Sequence, residues 1–219
     1  MKRYLPFIIV GGIALVTLAS GAMLYWAKRP QLLTIPADKT MSGKGDAESM
    51  HIRGNPDAPV TLEEFGDFQC PPCAGIAGFL DTLEKEYHPR LRIVFRNFPL
   101  PVHKHARDAA LAAEAAGLQG RYWEMHDVLY REQAVWSKAD SVHELFESYA
   151  GVLGINLDRF KKDMKGDDVR KQVDFEQARG NSLGVKSTPT IFVNNHQVRF
   201  PLTTESVHEA IDSALKKKS

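Results

Sequence analysis

The chain has 219 residues, of which 43% are hydrophobic and 25% are charged. This length leaves room for one compact domain and a terminal appendage, and it argues against two full domains. The 28 basic and 27 acidic side chains nearly cancel, so no overall field favours nucleic acid or another highly charged partner. The composition therefore predicts one globular domain and no binding of nucleic acid.

An uncharged, largely apolar run covers residues 4–27 and is flanked by basic residues on both sides. It is long enough to span a bilayer as a helix, and Tyr25 and Trp26 lie where interfacial aromatic side chains are found. Small residues at 19–21 leave a cleaved signal peptide as the alternative. We predict that residues 1–30 form an N-terminal membrane anchor, a transmembrane helix. Either outcome places the rest of the chain outside the cytoplasm, where disulfides persist.

The next segment, residues 31–52, combines glycine, serine and scattered charges without an apolar period, which predicts a flexible tether. A strand formed by its last few residues remains the alternative. The folded domain is predicted over residues 53–219. It begins with a turn cluster, after which the β-type run Val60–Phe65 leads to the cysteines.

Beyond the cysteines, apolar residues recur at helical spacing until a His-Pro pair ends the pattern. The β-type run Arg92–Phe98 then predicts a second strand, parallel to the first through a β-α-β crossover. From about residue 104 to 183 the pattern is helical, which predicts an all-helical insertion. Strand patterns resume at Thr190–Val193 and Gln197–Phe200, and a final helix follows. The predicted fold class is therefore α/β.

The two cysteines of the chain, Cys70 and Cys73, stand together in one C-x-x-C unit. That distribution does not suit a stapled secreted scaffold, which needs several cysteine pairs. A structural zinc site would need two further ligands, and His103 and His105 lack the spacing of a metal motif. The cysteines therefore predict thiol-disulfide chemistry, with no metal ion and no prosthetic group.

Thiol-disulfide exchange needs an accessible thiolate and a second thiol that resolves the mixed disulfide. At a helix start, Cys70 meets unpaired N–H groups and the positive end of the helix dipole, whereas Cys73 lies one turn further in. We therefore predict Cys70 as the nucleophile and Cys73 as the resolving thiol. Pro71 suits the first helical turn. Because Pro72 removes a backbone donor, we expect Cys70 to be less acidic, and the couple less oxidising, than with histidine at 72.

Glu64 precedes the cysteines on an apolar strand, on the same face as Val60 and Leu62 by strict alternation. A carboxyl group at this position is expected to be partly buried, with a raised pKa. Such a group could take the proton of Cys73 during resolution of the mixed disulfide. The alternative is that Glu64 only solvates the end of a strand.

Three segments together resemble the DsbA-like branch of the thioredoxin superfamily. They are residues 64–73, the Tyr-Trp-Glu-Met-His-Asp run at 122–127, and Ser187-Thr188-Pro189-Thr190. The resemblance covers about residues 53–215 and implies a thioredoxin-like fold with a long helical insertion between its second and third strands. It further implies that Thr188-Pro189 is a cis peptide facing the cysteines, where the backbone of Thr188 pairs with an extended substrate segment. Glu64 coincides with the buried acid of that family.

The resemblance also implies a protein-disulfide oxidoreductase whose substrates are reduced or misfolded exported proteins. An oxidase is the favoured direction, reoxidised by a membrane redox partner of the DsbB or vitamin K epoxide reductase type. The implied location is the bacterial inner membrane, with the catalytic domain in the periplasm or extracytoplasmic space. Enterobacterial DsbA proteins have histidine at the position of Pro72 and valine at that of Thr188, which leaves a reductase or isomerase as the alternative. A membrane-anchored peptide-binding chaperone module is the rival from another functional class.

Overall fold

The computed structural model of the protein describes Ser20 and residues 51–217. Its elements in chain order are β1 (His51–Gly54), β2 (Val60–Gly66), α1 (Pro71–Tyr87), β3 (Leu91–Asn97), α2 (Ala106–Gly117), α3 (Tyr122–Arg131), α4 (Gln133–Trp136), α5 (His143–Val152), α6 (Leu157–Met164), α7 (Asp167–Ser182), β4 (Thr190–Val193), β5 (His196–Gln197) and α8 (Thr204–Lys216). The predicted α/β class and the helical insertion are confirmed. The short helix α4 was not predicted, and the strand β1 was left open only as the alternative for the end of the tether.

The five strands form one mixed sheet in the order β1-β3-β2-β4-β5. The central pair β2 and β3 is parallel, which confirms the crossover through α1, and the other neighbouring pairs are antiparallel. The predicted return strand at residues 197–200 is wrong in its extent, because β5 ends at Gln197. One further hydrogen bond, from the Val198 N–H to the Ile191 carbonyl at 2.8 Å, closes the pairing before Phe200, which is 82% exposed.

Strand β1 corrects the boundary of the predicted tether. His51 and Ile52 fall within residues 31–52, yet they pair with Phe95 and Val94 of β3 in an antiparallel register. These two residues therefore belong to the sheet, and the alternative of a strand at the end of the tether is the correct one for them. The rest of the tether lies outside the described residues.

Helices cover both faces of the sheet. On one face, Val60 and Leu62 of β2 pack with apolar side chains of α1 and α8, including Leu83 and Ile211. On the other face, β2 carries Phe65, which packs with aromatic and aliphatic side chains of β4 and the neighbouring loops. Because both faces are covered, the central strands are buried along almost their whole length. Charged side chains on these strands are therefore forced into the interior.

The helices between β3 and β4 have a core of their own. The Ala-rich helix α2 packs against α3, α6 and α7, since small side chains allow several helices to approach it. Trp136 of α4 is fully buried, and its indole N–H donates a 2.7 Å hydrogen bond to the Leu129 carbonyl. This second core includes both cysteines, so the helical insertion forms one side of the cysteine site.

The predicted transmembrane helix lies outside the described residues, apart from Ser20 within it. Among the helices of the described part of the chain, none is both long and apolar enough to cross a membrane.

Candidate active site

Strand β2 delivers the cysteines to the beginning of α1. The strand ends at Gly66, and Cys70 is the N-cap residue of the helix, with prolines in the first helical turn. The N–H groups of Cys73 and Ala74 donate to the Cys70 carbonyl at 3.1 and 3.3 Å, which closes this first turn. The predicted strand-cysteine-helix arrangement is confirmed. Pro71 and Pro72, which follow Cys70 in the chain, are both exposed.

The two thiols differ in access and in acidity. Cys70 is 5% exposed and Cys73 is not exposed at all, so Cys70 is the more accessible of the two sulfur atoms. Both are free thiols. The hydrogen bond from the Cys73 thiol lowers the pKa of Cys70 to about 6, against the opposing effect of burial. Burial raises the pKa of Cys73 strongly, and the hydrogen bond to Cys70 and the charge of Glu64 act in the same direction. Cys70 is thus the thiolate of the pair.

Glu64 is the buried acid beside this pair. Its exposed fraction is 1%, because it lies on the central strand β2 with Phe95 and Ile191 as its neighbours on the adjacent strands. Burial raises the pKa of Glu64 to about 8, and the charge of Cys70 adds to this shift. Its Oε1 atom has no hydrogen-bond partner among the described residues. The expected burial and raised pKa are therefore present, while the proton-transfer role stays a prediction.

The segment before β4 forms the opposite wall of the site. The Thr188-Pro189 peptide is cis, as the resemblance implies. The Thr188 carbonyl oxygen lies 3.4 Å from the Cys70 sulfur and accepts a hydrogen bond from Cys70 when this thiol is protonated. Residues separated by more than a hundred positions in the chain thus meet at the Cys70 sulfur. The structure therefore brings the Thr188-Pro189 peptide to Cys70, and Glu64 lies close enough for its charge to act on both thiols.

One contact of the cysteine loop comes from a residue that the sequence does not reveal. Gln133 of α4 is almost fully buried, and its amide donates to the Phe68 carbonyl at 2.7 Å and to the Cys70 carbonyl at 3.0 Å. Both bonds fix the backbone that carries the nucleophile. A lone glutamine 63 positions away carries no motif that could have pointed to this contact.

Solved structures with the same fold include a thioredoxin-like oxidoreductase and a DsbA protein. A thioredoxin-like oxidoreductase from Silicibacter pomeroyi DSS-3 has 25% sequence identity and a TM-score of 0.68, over 83% of this chain and 99% of that one. BdbD from Bacillus subtilis, in its oxidised form, has 24% identity and a TM-score of 0.69, over 77% of this chain and 94% of that one. For alpha-DsbA1 from Wolbachia pipientis the values are 19% and 0.67, over 78% and 94%. At 24% and 19% identity, the similarity to BdbD and to alpha-DsbA1 shows a shared fold and nothing further.

The curated relatives are longer proteins that are named as antiporters. "Na(+)/H(+) antiporter NhaA 1" of Mycolicibacterium gilvum is 36% identical over 171 residues, which are 77% of this chain and 27% of that protein. The protein of the same name from Salinispora arenicola is 39% identical over 173 residues, or 77% of this chain and 25% of that one. This chain therefore spans about a quarter of the length of these relatives, and the antiporter name belongs to those whole proteins.

A family model described as Thioredoxin matches residues 46–213 of this chain. That range contains β1 to β5, both cysteines and the Thr188-Pro189 peptide, so the match covers the whole site described above. The chain belongs to the thioredoxin family.

Proposed function

We propose that this chain is an oxidase of exported proteins, which donates a Cys70–Cys73 disulfide to reduced substrates. The observation that carries the proposal is the acidified Cys70 thiol, hydrogen-bonded by a buried second thiol. A couple whose reduced form is stabilised as a thiolate holds electrons more readily, so its disulfide is a stronger oxidant than that of a pair with unshifted thiols. The same chemistry run in reverse, as a reductase or isomerase, would be favoured by a less acidic Cys70.

Substrate oxidation proceeds in two exchange steps. A substrate thiolate attacks the Cys70 sulfur, the bond between the two chain sulfurs breaks, and Cys73 leaves with the electron pair. Glu64, protonated at neutral pH because its pKa is raised to about 8, supplies the proton that Cys73 needs. A second substrate thiolate then attacks the substrate sulfur of the mixed disulfide and releases Cys70 as a thiolate. The substrate gains a disulfide, and the chain keeps two electrons as a dithiol.

Regeneration reverses these roles on a membrane redox partner of the DsbB or vitamin K epoxide reductase type. The Cys70 thiolate attacks the partner's disulfide and releases one partner cysteine. Cys73 then transfers its proton to Glu64, attacks the Cys70 sulfur and releases the second partner cysteine. Two electrons pass to the partner, and the chain disulfide is restored.

The backbone of Thr188 suits the placement of a substrate beside Cys70. Its carbonyl lies 3.4 Å from the Cys70 sulfur, and Pro189, which follows it, is buried. An extended substrate segment that pairs with this backbone would present its own cysteine to the Cys70 sulfur. Substrate selection by backbone pairing fits an oxidase that acts on many exported proteins.

Replacement of Glu64 by glutamine is expected to slow resolution of the mixed disulfide by about 10- to 100-fold, because Cys73 loses its proton acceptor. In the wild type the resolution rate should rise with pH as Glu64 ionises, with an inflection at or below about pH 8. The variant should lack this inflection. Stopped-flow measurement of thiol release from a preformed mixed disulfide, across pH, reads both effects.

Glu114 provides a matched control for this experiment. It is also a buried acid whose pKa burial raises to about 8, and it hydrogen-bonds Asn97 and His51 rather than the cysteine pair. Glu114→Gln should leave the inflection in place. A resolution rate that Glu64→Gln leaves unchanged at every pH would remove Glu64 from the mechanism.

The oxidase direction predicts a reduction potential well above that of thioredoxin, which is about −270 mV. Pro72→His should lower the pKa of Cys70 further and raise the potential, because histidine adds a polar group where proline has none. Equilibration of the purified domain with glutathione buffers measures the potential, and a thiolate titration measures the acidity. A potential near the thioredoxin value would favour the reductase or isomerase, and a lower Cys70 pKa in the wild type would overturn the assignment for Pro72.

We further propose that residues 1–30 anchor the protein in the bacterial inner membrane, with the domain in the periplasm or extracytoplasmic space. The run at residues 4–27 supports the anchor, and disulfide donation requires a compartment where disulfides persist. An intact-mass measurement of the protein extracted from cells separates an anchored chain from one secreted after signal cleavage.

A further inference from the structure

Asp67 is a buried carboxylate in the loop between β2 and Cys70. Its side chain has no exposed surface, and each of its two oxygens accepts a backbone hydrogen bond. Oδ1 accepts from the Gln69 N–H at 2.7 Å, and Oδ2 accepts from the Leu100 N–H at 2.8 Å. Because Leu100 follows β3, the carboxylate joins the loops that leave the two central parallel strands.

His103 adds a third donor to the same carboxylate. Its Nδ1 atom lies 2.7 Å from Asp67 Oδ2, and toward an ionised carboxylate this nitrogen can only donate. The His103 side chain is 23% exposed, in contrast to the Asp67 side chain. The buried Asp67 carboxylate is therefore hydrogen-bonded to an imidazole that is itself partly exposed to solvent.

The main chain of Asp67 is connected to both cysteines. Its carbonyl accepts a hydrogen bond from the Cys70 N–H at 3.0 Å, and its N–H group favours the thiolate of Cys73. Its carboxylate charge opposes ionisation of Cys70. A hydrogen-bond donor that offsets the negative charge of Asp67 must therefore favour ionisation of Cys70 to the thiolate.

We propose that Asp67 and His103 form a positioning pair that ties the cysteine loop to the loop after β3 and tunes the Cys70–Cys73 couple. In this pair Asp67 holds the backbone and restrains the Cys70 thiolate, while His103 offsets part of the Asp67 charge. The proposal deepens the oxidoreductase function proposed above and rests on it. Neither side chain is hydrogen-bonded to the reacting sulfur atoms, so both side chains act through the loop and through charge.

The test compares Asp67→Asn, His103→Ala and the double variant, each fully reduced and checked for folding by thermal unfolding. The thiolate absorbance of Cys70 is titrated against pH, with Cys70→Ser as the blank. Asp67→Asn should raise the acid dissociation constant of Cys70 about threefold or more, because a negative charge is removed. His103→Ala should lower the same constant by about threefold, because the Asp67 charge loses its offset. The reduction potential should rise in the first variant and fall in the second.

The double variant separates charge tuning from loss of structure. If His103 acts through Asp67, His103→Ala should have no further effect once Asp67 is Asn. Single variants that shift Cys70 in the same direction, or leave it unchanged, would overturn the proposal, as would an equal effect of His103→Ala in both backgrounds. His208, which hydrogen-bonds Glu86 at 3.1 Å, supplies a control histidine-acid pair, and His208→Ala should leave Cys70 unchanged.

A second comparison keeps the test decisive if Asp67→Asn does not fold. His103→Gln retains a donor group without the imidazole, and its Cys70 acidity should fall between those of the wild type and His103→Ala. Equal acidity in the alanine and glutamine variants and the wild type would contradict the pairing. Because the titration uses no substrate, this failure is distinct from a failure of the proposed function, which would appear as disulfide exchange that survives without Cys70.

Discussion

Replacement of Cys70 by serine is expected to reduce oxidation of a reduced test protein by roughly a thousandfold or more. The serine hydroxyl is not ionised at neutral pH and forms no disulfide, so both exchange steps are lost. To measure the effect, the wild-type domain and the variant are each treated with an oxidant and then incubated with a reduced substrate protein. A free-thiol assay follows the loss of substrate thiols.

The fold is expected to tolerate this change, which makes the result interpretable. Cys70 caps α1 without a side-chain hydrogen bond to the helix, and Gln133 holds the backbone at this position. Thermal unfolding of the reduced wild type and of Cys70→Ser should therefore give similar midpoints. Oxidation that persists in the variant would remove the enzyme assignment and favour a peptide-binding chaperone module.

Arg96→Met is expected to lower the free energy of unfolding by about 3–5 kcal/mol, the cost of removing one partner from a buried ion pair. Arg96 of β3 is fully buried, and its Nε and Nη1 atoms lie 2.9 Å from Glu63 and 3.4 Å from Glu176. Without the guanidinium, these carboxylates keep a buried negative charge with less compensation. Urea denaturation of the reduced protein measures the loss.

The loss should also depend on pH. Burial raises the pKa of Glu176 to about 7, and the Arg96 guanidinium opposes that rise. The pKa of Glu176 is therefore higher in the folded state than in the unfolded state. The contribution of this group to stability is complete at pH values below the unfolded-state pKa, and it is lost as the pH rises through about 7. Removing Arg96 raises the pKa of Glu176 further, so Arg96→Met should cost more stability at pH 8 than at pH 5.

An exposed ion pair provides the control for Arg96. Arg107 and Asp174 lie 2.8 Å apart with side chains that are 44% and 59% exposed, and Arg107→Met should cost less than about 1 kcal/mol. Adding Glu176→Gln to Arg96→Met should restore part of the lost stability, because it removes an uncompensated charge. Equal losses for Arg96→Met and Arg107→Met would show that the buried network contributes little to stability.

Local patterns in the sequence predicted the elements that carry the cysteines. The β-type run before Cys70 and the helical period after it have the strand and helix periodicities of the observed β2 and α1. Strict alternation placed Glu64 on the buried face of β2, and the structure buries it more completely than expected because helices cover both faces of the sheet. Periodicity reports which face a residue shares, while the degree of burial depends on what packs against that face.

Contacts between distant segments could not be predicted from local patterns. Strand β1 has only four residues, so its pairing with β3 leaves no reliable alternation in the sequence. Gln133 and Asp67 matter through hydrogen bonds to the cysteine loop and to the loop after β3. Gln133 stands in no motif, and the motif that contains Asp67 does not reveal its partners. The resemblance supplied the cis peptide at Thr188-Pro189, because most X-Pro bonds are trans and the residues alone give no sign of the exception.

The central claim, that Cys70 exchanges disulfides by forming mixed disulfides and that Cys73 resolves the mixed disulfide formed when reduced Cys70 attacks another disulfide, is tested most directly by trapping the intermediate. Cys73→Ser removes the resolving thiol and leaves Cys70 able to attack. After incubation with a disulfide-bonded test protein, proteolysis and mass spectrometry should identify a peptide that contains Cys70 joined to a substrate cysteine. The same treatment of Cys70→Ser should give no such adduct. Absence of the Cys70 adduct in Cys73→Ser, or its formation through Cys73 instead, would contradict the proposed mechanism.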